Sequence, residues 1–171
     1  MDLVEPDLTG DELTLLSQFL DYQRAVLVRK AEGLSSEQLN QRLGPSTLTL
    51  AGLLKHGALV EHSWFRERLL GQPSIEPWIS VDWTATPDWE FDTAKDDSPE
   101  ALIAMYLEAC EGSRDAVKQV GGDLDRMQVK PNRHGDRMSL RWILIHMIEE
   151  TARHAGHADL LRESIDGATG D

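Results

Sequence analysis

The stretch SLRWILIHMIEETARHAGHADLLRESI, residues 139–165, decides the fold of this chain. Ser139 is a favourable N-cap residue for a helix, and Gly167, just beyond the stretch, is a favourable residue at which a helix ends. Between them, apolar and small residues cover most of the helix circumference: Ile143, Leu144, Ile145, Met147, Ile148, Ala152, Ala155 and Ala158. A helix that is apolar nearly all round is usually buried. The stretch therefore predicts a long helix inside a helical core.

A polar stripe runs along this predicted helix. At about 100° per residue, His146, Glu150, His154 and His157 fall within about 80° of one another on one side. Solvent-facing stripes usually consist of Lys, Glu and Arg, whereas neutral imidazole is the commonest metal ligand. Because the remainder of the helix is predicted to be buried, we expect the stripe to face inward, where polar groups need partners. The alternative is a solvated stripe that binds nothing.

Three further long helices are predicted from the rest of the chain. Apolar spacing indicates helices over about 11–32, about 48–70 and from the Ser98 cap to Gly121, with a short helical turn in 35–42. No repeat or phosphate-binding glycine loop is present in the sequence. Four long helices with one long connection predict an all-α protein, an antiparallel four-helix bundle that forms a single domain over residues 1–171.

The long connection is GQPSIEPWISVDWTATPDWEFDTAKDDSP, residues 71–99, which we call the crossover. It holds four prolines and three tryptophans, Trp78, Trp83 and Trp89, and it shows neither helical nor strand periodicity apart from a possible short strand over 79–82. Connections this long inside a compact domain are usually disordered or functional. Since tryptophans favour packing, we interpret the crossover as a cover over one end of the bundle, near the polar stripe.

The composition excludes several classes of partner. Lys and Arg number 17 against 30 Asp and Glu, giving a formal net charge of −13, and a field of this sign repels nucleic acids and anionic membranes. The one cysteine, Cys110, excludes an internal disulfide and a CxxC zinc site, and its apolar neighbours predict a buried thiol. The sequence shows neither a signal-peptide pattern nor an apolar run of membrane-spanning length. We therefore expect a soluble, cytoplasmic protein that binds no nucleic acid and no membrane.

A partner for the polar stripe is available on the second helix. His56 lies in the apolar stretch LLKHGALVEHSWF, and bundle metal sites combine side chains from facing helices. Glu150 and His154 are one turn apart, and His56 would add a third ligand across the core, which leaves positions on a divalent ion for water and substrate. His146 has the same one-turn relation to Glu150, so spacing alone leaves both pairs open.

Two other histidines receive no site role. His62 lies six residues after His56, on the opposite side of the helix, and is predicted to be a surface or lid contact. His134 lies in the turn-rich segment PNRHGD.

Three stretches carry a resemblance to a known family: TLAGLLKHGALVEHSWF, WEFDTAKDDSPEALIAMYLEACEGSR and LRWILIHMIEETARHAGHADLLRE. In their order and separations they resemble the DinB-like metalloproteins, in the branch related to the mycothiol-dependent maleylpyruvate isomerases. The resemblance implies a four-helix bundle that holds a divalent ion through His56 of the second helix and through Glu150 and His154 of the last. Many members have histidine at the position of Glu150, and others have glutamate.

The resemblance also implies a chemistry. Relatives use a low-molecular-weight thiol such as mycothiol, as isomerases or as transferases, so the expected partners are that thiol and a small electrophile, with a homodimer as one oligomeric state. Zinc is the first choice of metal, and nickel, iron and manganese are alternatives. His146 and His157 would orient Glu150 or carry protons, and Arg153 would pair with an anionic substrate group unless it forms a surface salt bridge. The alternative function is a metal-binding bundle without turnover, a sensor or an interaction protein.

Overall fold

The computed structural model describes residues 3–170, and every regular element within them is helical. Six α-helices follow one another along the chain: α1 Glu12–Ala31, α2 Ser36–Leu39, α3 Leu50–Glu61, α4 Trp89–Thr93, α5 Pro99–Gln119 and α6 Leu140–Asp166. A π-helix, His62–Leu69, continues α3 directly, and two 3₁₀ turns, Trp78–Ser80 and Ala94–Asp96, lie in the crossover. None of the described helices combines the length and apolar character needed to cross a membrane.

Local capping explains where the long helices begin and end. An N-cap side chain accepts a hydrogen bond from the backbone N–H three residues later at Asp11, Ser35, Thr49, Ser98 and Ser139. This bond satisfies a donor that the first turn of a helix leaves unpaired. Gly167 ends α6 with a φ of 75°, a left-handed conformation that glycine adopts without strain. The predicted caps at Ser98, Ser139 and Gly167 are therefore confirmed.

The second long helix differs from its prediction in geometry. A continuous α-helix was expected over about 48–70, but Thr49 is the cap and the α-helix gives way to a π-helix after Glu61. His62 was predicted to be a surface or lid contact, and the surface alternative is wrong, because this residue is only 3 % exposed. It lines a pocket together with Ile75 and Trp78 of the crossover, which is the side that the lid alternative named. The side of the helix opposite His56 faces α5 rather than solvent. Burial also lowers the pKa of His62.

The short strand expected over 79–82 is also absent. Trp78–Ser80 forms a 3₁₀ turn instead. The only β-type pairing among residues 3–170 is an isolated bridge between Met127 and Ser139. A strand needs a neighbour to satisfy its backbone groups, and the described part of the chain provides none for the crossover.

The core consists of two apolar clusters. Helix α1 packs on α6, α3 packs on α5, and α3 also contacts α1 and α6. The crossover cluster includes Leu27, Leu53, Leu54, Leu102, Leu161 and the crossover residues Trp78 and Ala94. The π-helix cluster includes Leu20, Phe65, Leu69, Leu140, Ile143 and Met147.

A layer of buried polar residues separates these clusters. On α1, Arg24 lies between Leu20 of the π-helix cluster and Leu27 of the crossover cluster. Arg24 and Glu61 are each almost fully buried and form a two-point ion pair, with Nε–Oε1 at 2.7 Å and Nη2–Oε2 at 2.5 Å. Ser113 of α5 donates to the same carboxylate at 2.6 Å. One carboxylate therefore joins α1, α3 and α5.

Cys110 lies next to this layer and is fully buried, as the sequence predicts. Burial raises the pKa of its thiol to about 12. The thiol therefore stays protonated at neutral pH and is not a nucleophile.

We expect Glu61→Ala to lower the free energy of unfolding by about 3–5 kcal/mol, because it leaves the Arg24 guanidinium buried without a counter-charge. Urea unfolding measures the change. The control is Glu111→Ala, which removes a carboxylate that is 57 % exposed and should cost less than about 1 kcal/mol. The double variant Arg24→Met/Glu61→Leu should be more stable than Glu61→Ala. Equal stability of Glu61→Ala and wild type would show that the pair does not hold the helices together.

Candidate metal centre

Helices α3 and α6 bring His56, Glu150 and His154 together. One potential ligand atom from each of these residues lies within 4.8 Å of the other two. Nε2 of His154 lies 3.1 Å from Oε1 of Glu150, and Nε2 of His56 lies 3.5 Å from the same oxygen. All three residues are partly buried. Two imidazoles and a carboxylate thus converge from facing helices on a single point.

The space between these donors suits a single ion. His56, Glu150 and His154 line a cavity of about 10 Å³, together with core residues that include Leu53, Tyr106 and Met147. A volume near this size accommodates about one water molecule. Two histidines and one carboxylate are also a donor set that catalytic zinc sites use. The residues present therefore fit a divalent ion both in chemistry and in space.

The electrostatics of the site favour the ligand forms of its donors. Burial lowers the pKa of His154, which keeps its imidazole neutral at pH 7. Burial also acts to raise the pKa of Glu150, but the neighbouring imidazoles of His154 and His56 outweigh it and hold that pKa below its usual value. Metal ligation requires neutral histidine and ionised carboxylate, and these are the forms that the two pKa shifts favour for His154 and Glu150 at neutral pH.

Glu90, a residue that the sequence did not single out, orients His56. Its Oε1 lies 2.9 Å from Nδ1 of His56, and its side chain is only 6 % exposed. With the proton on Nδ1 donated to this carboxylate, the lone pair of Nε2 faces Glu150 and is free for an ion. Carboxylates commonly support metal-binding histidines in this way. The second oxygen of Glu90 has no hydrogen-bond partner within the described chain.

Phe91 holds the other side of the same imidazole. The two rings stack with centroids 4.9 Å apart and planes 25° from parallel. Gly52, one turn before His56 on α3, makes room for this ring, since a Cβ there would lie 2.7 Å from Cδ1 of Phe91. Lys55 fastens the end of the crossover to α3 through Asp97 at 2.6 Å and Thr93 at 3.0 Å. Consecutive residues of α3 therefore bind the crossover.

The crossover is packed, and its contact with the site differs in detail from what was expected. Trp78 is buried, Trp89 is partly buried, and Trp83 is 37 % exposed. The rings of Trp78 and Trp83 both meet that of Trp89, at 6.0 and 6.5 Å between centroids. The crossover side chains that reach His56 are Glu90 and Phe91 rather than these indoles.

The remaining predicted site residues lie at different distances from the three donors. Nδ1 of His157 is 3.5 Å from Nδ1 of His154, which places it beside the centre. His146 lies between two indoles, with ring centroids 4.8 Å from Trp64 and 5.0 Å from Trp142, and it has no direct contact with Glu150 among the described residues. Arg153 is 60 % exposed and pairs with Glu149 at the surface, the alternative that the sequence analysis left open. The functional roles of all three stay predictions.

Comparisons with known proteins agree with this architecture. The structure resembles a crystal structure of a conserved protein from Enterococcus faecalis with a TM-score of 0.69 and 16 % sequence identity, over 94 % of this chain and 100 % of that chain. This likeness shows a shared helical fold. No curated protein matches the chain.

The chain belongs to the class of helical, DinB-like proteins, and its sequence identifies the family within this class. A sequence model of the Mycothiol-S-transferase family matches residues 15–167, and the chain belongs to this family. The DinB-like, mycothiol-related resemblance found in the sequence is thereby confirmed.

We expect the purified protein to bind about one divalent ion per chain, and His154→Ala to lose it, because the substitution removes one of three donors. Elemental analysis after zinc loading and gel filtration measures the content. His134→Ala, which alters a histidine in an exposed loop, serves as the control and should keep the ion. Equal zinc content in wild type and His154→Ala would rule out His154 as a ligand.

We also expect Glu90→Gln to weaken zinc binding by about tenfold and Glu90→Ala by up to about 100-fold, since losing the supporting carboxylate frees the His56 ring. Competition with a chromophoric chelator gives the dissociation constants. Glu100→Gln removes the same charge from an exposed position on α5 and should leave the affinity unchanged. If all three variants matched wild type, Glu90 would have no role in metal binding.

Proposed function

We propose that this chain is a divalent-metal-dependent S-transferase that joins a low-molecular-weight thiol to a small electrophile. Membership of the Mycothiol-S-transferase family supports mycothiol as that thiol. The convergence of His56, Glu150 and His154 on a single point is the observation that carries the metal dependence. Zinc is the first choice of ion, with nickel, iron and manganese as alternatives, and the four long helices act as an antiparallel bundle that holds the donors in a partly buried position.

The three donors would hold the ion, and the other residues would bind and orient the reactants. When bound, a divalent ion supplies a positive charge that favours the thiolate form of a coordinated thiol. The chain has no reactive thiol of its own, because burial raises the pKa of Cys110 to about 12. The nucleophilic sulfur must therefore come from a second molecule, as the family name implies.

The reaction needs a base that accepts the proton of the thiol. Nδ1 of His157 lies 3.5 Å from Nδ1 of His154, and we assign His157 to accept that proton and pass it to solvent. The sulfur then forms a bond to the electrophilic carbon, and the displaced group leaves with the electron pair of the broken bond, or a proton returns when the reaction is an addition. His146 lies between the indoles of Trp64 and Trp142 and would position Trp64. Arg153 would pair with an anionic substrate group only after its ion pair with Glu149 has broken.

A metal-binding protein without turnover is the alternative, and one observation favours it. The cavity among the donors has a volume of about 10 Å³, which suits an ion but not a thiol inside the same cavity. A thiol would therefore reach the ion from the exposed side of the donors, whose side chains are 16–20 % exposed, whereas a sensor or interaction protein needs no such approach. Isomerase activity is a variant of the first proposal, in which the thiol adds and is later released.

The net charge of the chain and the proposed thiol transfer together define the expected partners. A formal net charge of −13 disfavours nucleic acid and anionic membranes as partners, which leaves the thiol and the electrophile. We assign the reaction to the cytoplasm, where low-molecular-weight thiols are kept reduced. A homodimer stays a prediction.

The test measures thiol loss with a panel of small electrophiles, using mycothiol and commoner thiols in parallel. A free thiol with a pKa near 8.5 is only about 3 % ionised at pH 7, so zinc-loaded protein should consume thiol at least about tenfold faster than chelated protein. Glu150→Gln should behave like chelated protein, because it removes the charge of a ligand.

The matched control is Glu163→Gln, an exposed residue on the same helix, which should keep the wild-type rate. Thiol consumption that is the same for zinc-loaded, chelated and Glu150→Gln protein, with every thiol tried, would contradict the proposal and favour the protein without turnover.

A further inference from the structure

A groove of about 610 Å³ lies between the π-helix and the crossover. Three of the five tryptophans of the chain line it, Trp64 from the π-helix and Trp78 and Trp83 from the crossover, together with Ile79 and Arg68. Pockets that bind small molecules have this size, and they are mostly apolar with a few polar groups that fix the orientation of the ligand. The groove has both features.

Arg68 is the polar group that distinguishes this groove. Its Nε is buried without a hydrogen-bond partner, and its guanidinium lies over the ring of Trp64 at 4.7 Å. No carboxylate pairs with Arg68 among the described residues, although acidic residues outnumber basic ones by 30 to 17 in the chain. Arg68 as a whole is only partly buried, so the rest of its guanidinium can be reached from the groove and offers a positive charge to an anion.

Glu67 also lines the groove, and its charge is paired with Lys130. Its Oε2 lies 3.4 Å from Nζ of Lys130, whereas His62, 3.5 Å from its Oε1, has a pKa that burial lowers and therefore adds no positive charge at neutral pH. Arg68 is therefore the basic residue among those that line the groove, and it forms no ion pair within the described chain.

The groove adjoins the candidate metal centre. Val60 lines both the groove and the small cavity among the metal donors, and it lies one helical turn after His56 on α3. Trp64, one further turn along, contacts His146 of α6. A molecule seated on the tryptophans would thus lie next to the three donors.

We propose that this groove binds a small aromatic carboxylate, with its ring on the indoles and its carboxylate on Arg68. A planar guanidinium that is already stacked on an indole matches a carboxylate attached to a flat, conjugated body. A neutral ligand would cover Arg68 and leave its charge unpaired, and an aliphatic anion would make poorer use of a groove lined by indoles, of which that of Trp83 is 37 % exposed. That this molecule is the electrophile rests on the proposed thiol transfer, whereas its binding does not.

The test uses three probes on chelated protein, so that no carboxylate can bind a metal ion. They are trans-cinnamate, trans-cinnamyl alcohol, which lacks the charge, and acetate, which lacks the ring. Titration calorimetry should give the highest affinity for cinnamate. Arg68→Met should weaken cinnamate binding by about tenfold or more and leave the alcohol unchanged, because it removes a charge-assisted contact.

Two further variants keep the test decisive. Arg29→Met removes the same charge from an exposed position on α1 and should bind cinnamate like wild type. If circular dichroism shows that Arg68→Met has lost its helices, Arg68→Lys replaces it. That variant keeps the charge without the planar fork, and it should weaken cinnamate while sparing the alcohol.

Cinnamate that binds no better than the alcohol, or equally well to wild type and the Arg68 variant, would overturn the proposal. Its failure is distinguishable from failure of the thiol transfer. Thiol consumption without cinnamate binding would contradict only the ligand proposed for the groove. Arg68-dependent cinnamate binding by a protein that consumes no thiol would contradict only the proposed function.

Discussion

The buried ion pair between Arg24 and Glu61 is the constraint on which the rest of the structure depends. Its two-point geometry aligns α1 with α3, and Ser113 extends the same contact to α5. A slip of one helical turn would leave a charge unpaired between two apolar clusters, which is far more costly than a change in apolar packing. Since Glu61 also borders the cavity of the metal donors, the pair that fixes the register of the helices also fixes the position of His56 opposite α6.

Local features of the sequence predicted most of the helical fold. Caps such as Ser139 and stops such as Gly167 act within one turn, so they mark helix ends without knowledge of the tertiary structure. The stripe on α6 could also be found, because the spacing of Glu150 and His154 is a property of a single helix. The choice of His56 as their partner needed the facing-helix geometry of bundles and the family resemblance.

What the sequence did not predict depends on contacts between distant segments. Glu90 meets His56 across 34 residues, and no periodicity links the crossover to α3. The change to a π-helix after Glu61 shifts the direction of every later side chain, so the surface that carries Trp64 and Arg68 could not be derived from an ideal helix. The surface alternative for His62 was wrong because the face opposite the site is not a solvent face; α5 covers it.

The crossover binds two consecutive residues of α3, and this attachment couples its position to the candidate metal centre. Lys55 and His56 both bind the crossover, and Glu90 both covers the imidazole and sets its tautomer. A displacement of the crossover that broke the contact between Glu90 and His56 would also release the ring of one of the three candidate metal donors. The orientation of His56 and the position of the crossover are therefore coupled, so a motion of this loop near Glu90 is also a motion of the candidate centre.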